Sequence, residues 1–85
     1  RVIELAAELA ETANSNAVSD AGSAGAMAGA ALHAAALNVK INATSVQDQT
    51  AAQGWLSALA GYQERARQAT QRLHAAIEQR GGITI

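Results

Sequence analysis

The chain has 85 residues, a formal net charge of −1 and neither cysteine nor proline. That bounds it to one domain at most, and it excludes disulfides, thiolate metal sites, a cysteine nucleophile and any basic field for nucleic acid or anionic lipid. Ala and Gly fill 30 positions while Leu, Ile, Val and Phe fill 16, so little apolar area is on offer and helices must approach closely to bury it.

The first segment, Arg1–Ala13, puts Val2, Leu5, Ala6, Leu9 and Ala13 on one stripe at helical spacing, with Glu4, Glu8 and Glu11 on the other side. This predicts a surface helix with that stripe buried, ending at Asn14-Ser15-Asn16, whose side chains compete for the backbone. The chain starts with Arg1 rather than Met, and no capping residue precedes Val2. The expectation is therefore a partial helix and a fragment of a larger helical domain. No charged region followed by an apolar run marks a signal peptide.

A second helix is predicted from Ser19-Asp20 to about Ala43, with Ser19 as its cap and Asp20 in the positive first turn. Ala21–Val39 carries no formal charge, but it is mostly Ala and Gly, with Ser23, His33 and Asn38 inside it, where a spanning helix usually wants Leu, Ile, Val and Phe, so no membrane partner is expected. Gly25 and Gly29 lie four apart with Ala21, Ala28 and Ala31 nearby. Each glycine costs helix stability, which points to close backbone contact with another helix, in another copy of the chain.

A third helix opens at Thr44-Ser45, with Ser45 and Asp48 at capping-box spacing. Its seam is Ala52, Leu59, Ala66 and Leu73, with Trp55, Tyr62, Ala69 and Ala76 interleaved, and Gly81-Gly82 stops it. Trp55 and Tyr62 read as core or interface anchors. His33 and His74 have no second ligand type three or four residues away, so no metal site is expected. The fold class is all-α: a partial N-terminal helix and two long helices forming a bundle.

The informative polar residues of the small-residue helix stand at its two ends. They are Asn14, Asn16, Ser19 and Asp20 at one end, and Asn38, Lys40 and Asn42 at the other. The blocks Asn14–Gly22 and Asn38–Asn42, in this order and spacing, resemble the cyclodeaminase/cyclohydrolase family, over about Leu5 to the end of the chain. That family includes the C-terminal domain of formiminotransferase-cyclodeaminase and stand-alone methenyltetrahydrofolate cyclohydrolases. Ala13 and Ser15 depart from its common Gly and Pro, which alters turn chemistry and no reactive group.

The resemblance implies a cytoplasmic folate enzyme acting on a C–N bond of a tetrahydrofolate derivative, by cyclodeamination or cyclohydrolysis. It also implies that residues 1–85 are the C-terminal portion of the domain, with a further acid/base upstream. Such chemistry needs a proton-handling group and donors to hold the substrate. Asp20 is the candidate for the first role, the alternative being a helix N-terminal charge. Asn16, Ser19, Asn38 and Asn42 are candidates for the second, the alternative for Asn38 and Asn42 being amide bonding between helices. Asp20 and Asn38 face the same way but stand about 27 Å apart along the helix. An antiparallel pair of these helices, as in a homodimer, would bring Asp20 of one chain towards Asn38 of the other. The rival reading is a non-catalytic helical oligomerisation module.

Overall fold

In the computed structural model, residues 1–12 and 15–85 are described, as three helices: α1 (Val2–Thr12), α2 (Ser15–Ser45) and α3 (Gln49–Gly81). Among the described residues there is no strand, and the molecule measures 51 × 18 × 16 Å. The all-α bundle expected from the sequence is the fold. The two long helices form an antiparallel hairpin joined at residues 46–48. Glu4 meets Arg65 and Glu11 meets Arg72, so α1 runs parallel to α3 along one half of that hairpin. No described helix is long and apolar enough to cross a membrane.

The core is Ile3, Ala6, Ala7 and Ala10 of α1, Val18 and Ala21 of α2, and Ala69, Leu73, Ala76 and Ile77 of α3. This corrects the expected buried stripe of α1. Leu5 and Leu9 are about half exposed and Val2 more so, while the three alanines turn inward with Ile3. Small side chains win the inward positions because only they let α1 sit against both long helices at once. Ala13, the last member of that stripe, and Asn14 lie outside the described residues, as do the side chains of Ser15 and Asn16.

Two helix starts also differ from expectation. The helix expected at Ser19-Asp20 begins at Ser15, because Val18 already belongs to the buried face that continues through Ala21. Ser19 is therefore inside the helix rather than its cap, and Asp20 lies beyond the first turn. At the other end α2 continues through Thr44 and Ser45, keeping Ala43 buried, and the Thr44 hydroxyl donates to the Ile41 carbonyl at 2.7 Å. Asp48 caps α3 instead of Ser45, accepting from the Ala51 N–H at 3.0 Å. The stop is as the sequence predicts: Gly82 is left-handed (φ 67°) and its N–H donates to the Glu78 carbonyl at 3.1 Å. Leu59, Leu73, Ala52, Ala69 and Ala76 are buried as expected, but Trp55 and Tyr62 are not in the core, at 47% and 59% exposure.

The glycines of α2 divide sharply. Gly25 faces the inside of this chain, where a Cβ would overlap Leu73 Cδ2 and come within 3.9 Å of the Ala6 Cβ. Gly22 is similar, with Ile77 Cδ1 2.9 Å from where its Cβ would be. Around Gly29 there is nothing within 4 Å. The close approach predicted at Gly25 thus holds α2 to α3 within one chain. Gly25→Leu should lower the melting temperature in a thermal melt, by about 1–3 kcal/mol of stability, because Leu73 is fully enclosed and has nowhere to go. Gly29→Ala should leave it unchanged or raise it, by up to about 1 kcal/mol.

Candidate functional site

The long helix α2 carries the sequence-predicted site residues at its two ends. Ser19, Asp20, Asn38 and Asn42 are all exposed. Asn16 lies within α2, and its side chain is outside what the structure describes. Asp20 and Asn38 stand eighteen positions apart on one straight helix, about 27 Å along its axis. The structure does not bring them together within one chain. Asp20 is exposed, and among the described residues none pairs with it. The charge of Asp20 also gains little from the helix macrodipole, which acts within the first turn.

Asn42 lines a groove. Beyond the N-terminus of α1 the hairpin has two helices instead of three, which leaves an open apolar trough of about 510 Å³ bounded by Val39, Asn42, Val46, Trp55, Ala58, Leu59 and Tyr62. A second hollow, of about 360 Å³, shares Tyr62 and lies against Val2, Ile3, Leu32 and Arg65. An apolar cleft with few polar groups, here the Asn42 amide and the Tyr62 hydroxyl, is the usual form of a site for a flat organic ligand. Of the two places expected for Trp55 and Tyr62, core or interface, the structure excludes the core. Their heptad interleaving fits a core seam equally well, and only the missing third helix at this end exposes them.

The charged groups of α1 and α3 pair with one another, Glu4 and Arg65 at the edge of the second hollow. Arg65 donates to Glu4 Oε1 at 2.7 Å, and Arg72 holds Glu11 in a fork, with Nε 2.7 Å from Oε2 and Nη2 on Oε1. Within α3, Arg67 grips Glu64 at 2.6 and 2.8 Å with Gln68 at 3.1 Å, and these hydrogen bonds, Arg67's first, pull the Glu64 carboxyl down to about 2. The hydrogen bond from Arg65 lowers the Glu4 pKa, and that from Arg72 lowers the pKa of Glu11. Arg65 and Arg72 are thus committed to α1. Among the described residues no group of three or more His, Cys, Asp and Glu side chains could hold a metal ion.

Because Glu4 and Glu11 have lowered folded-state values, their contribution is complete above the ordinary carboxylate value near 4.5 and is lost as pH falls below it. The melting temperature should therefore fall on acidification from about pH 5 to pH 3. In Glu4→Gln/Glu11→Gln that acid slope should flatten. An unaltered slope would mean that the two pairs do not hold α1 in place.

A sequence model described as formiminotransferase-cyclodeaminase matches residues 1–61. The match covers α1, α2 and the first part of α3, and contains Asn16, Ser19, Asp20, Asn38 and Asn42. It starts before Leu5 and stops at Gly61, short of the reach expected from the sequence blocks. Among curated proteins and among solved structures, none matches the chain.

Proposed function

The chain belongs to the formiminotransferase-cyclodeaminase family, and on that premise we propose that it is the C-terminal portion of a cyclodeaminase/cyclohydrolase domain that acts on a tetrahydrofolate derivative in the cytoplasm as a homodimer. The family match over the segment that bears every candidate site residue carries this reading. The reaction is either cyclisation of a 5-formimino group with loss of ammonia or addition of water to a 5,10-methenyl bridge. Both make or break a C–N bond at the one-carbon centre, and both require a proton to be delivered or removed there.

Asp20 is the proton-handling group in this reading. Its support is physical: an exposed carboxylate beyond the first helical turn, without a partner among the described residues, gives the helix little stability. Asn16, Ser19, Asn38 and Asn42 supply donors and acceptors for the polar edges of the folate, and the apolar trough beside Asn42 offers its ring system a surface with Trp55 and Tyr62. An acid/base from the rest of the domain completes the proton path.

Asp20→Asn in the full-length enzyme keeps the size of the side chain and removes its charge. It should lower kcat by at least about tenfold with the melting temperature retained, since general acid/base groups are typically worth about 10²–10⁴ in rate. A kcat within about twofold of the parent would reject the catalytic role of Asp20. Residues 1–85 alone should consume methenyltetrahydrofolate no faster than buffer. Saturable turnover by that segment would overturn the division of the site between this portion and the rest of the domain.

A further inference from the structure

The groove that holds α1 does not end where α1 does. Glu4 pairs with Arg65 and Glu11 with Arg72, each 61 residues on, so α1 keeps one register against α3 over a full heptad. At the start of α1, Arg65, Ala66 and Ala69 of α3 and Leu32 of α2 line the hollow beside Val2, Ile3 and Glu4. Moved one heptad toward the loop of the hairpin, those four positions become Ala58, Leu59, Tyr62 and Val39, and all four line the open trough. Tyr62 belongs to both hollows, so they form one track. The trough is the α1 groove repeated, with larger side chains in its floor and no charge in its lining. The Leu5 N–H donates to the Arg1 carbonyl at 2.9 Å, so α1 is regular helix where it meets this track.

We infer that the segment preceding Arg1 in the full-length protein continues α1 as a helix over this trough, in the same register, for at least the two turns from Tyr62 to Trp55. The inference rests on the reading of residues 1–85 as the C-terminal portion of a domain, and it says where the rest of that domain attaches. With the offset of 61 kept, the fourth residue before Arg1 lies level with Ala58. The inward set Ile3, Ala6, Ala7 and Ala10, moved back one heptad, turns the first, second and fifth residues before Arg1 toward the trough. Ala58 stands one heptad before Arg65, so no ion pair repeats there and the attachment is apolar. It takes the exposed rings of Trp55 and Tyr62 out of water. A helix already seated in the groove is favoured over any separate chain, because extending a helix adds a hydrogen bond per residue fixed and needs no new nucleus.

The consequence reaches the candidate site. Two further turns, about 10 Å of helix, bring the third helix level with Trp55. The surface beside Asn42 and Trp55 then gains a third wall, which shields it from water on a side where the hairpin alone leaves it open.

Residues 1–85 contain no cysteine, so introduced thiols can carry spin labels once any cysteine elsewhere in the full-length protein is replaced by serine. One label goes on Ala58→Cys and the other on a cysteine at the fourth residue before Arg1. Arg65, the equivalent of Ala58 one heptad on, is 57% exposed while paired, so both labels sit at the rim of the contact. In electron paramagnetic resonance, with the labelled protein diluted in unlabelled protein, the two labels should lie within about 24 Å, two helix diameters. Tyr62→Glu should lower the melting temperature of the full-length protein by more than about 3 °C, since its carboxylate would lie beneath the continued helix. Labels farther apart than that, or a smaller shift for Tyr62→Glu, would overturn this inference alone. An intact mass showing that the natural protein begins at Arg1 would overturn it together with the reading it rests on.

Discussion

Everything in this fold depends on one close approach, at Gly25 of α2. The Leu73 side chain occupies the space that a Cβ would take there, and the Ala6 methyl lies beside it. Side chains of all three helices meet here, and among the described residues Leu73 is the largest side chain fully enclosed. A chain so rich in alanine has little area to bury per residue, so it depends on close distance instead of bulk. The missing side chain at Gly25 supplies that distance.

With the inward positions given to glycine and alanine, the larger apolar residues go elsewhere. Leu5, Leu9, Met27, Leu37 and Ile41 all stand exposed. The bundle therefore has two kinds of apolar surface: an inner one of small side chains that packs its own helices and an outer one that carries the larger residues. The Glu4–Arg65 and Glu11–Arg72 pairs fix where α1 sits, which separates a charged side of the bundle from an uncharged one. Exposed ion pairs of this kind stabilise little, but they set register.

The candidate site inherits this division. The length of α2 holds Asp20 far from Asn38, and the shortness of α1 opens the trough beside Asn42, Trp55 and Tyr62. Neither feature is visible in the residues taken one at a time. Both follow from how much of the hairpin the third helix covers.

The sequence by itself determined the helical class, the need for a close approach at Gly25 (though it pointed to another copy, and the neighbour is Leu73 of the same chain), the stop at Gly82 and the two polar blocks that carry the family resemblance. These are local or strongly periodic properties: a glycine is tolerated in mid-helix for a reason, and a left-handed cap needs one. The tertiary structure decided which stripe of α1 is buried, because Ile3 with three alanines and Leu5 with Leu9 are equally regular, and only the distance to two neighbouring helices separates them. It decided that α2 starts at Ser15, because Val18 is needed in the core, and that Asp48 caps α3, because Ala43 keeps α2 helical past Thr44. It also exposed Trp55 and Tyr62, whose spacing suits a seam but whose end of the hairpin has no third helix to cover them. Periodicity fixes which residues share a face. Which face finds a neighbour depends on the other helices, and that information is not local.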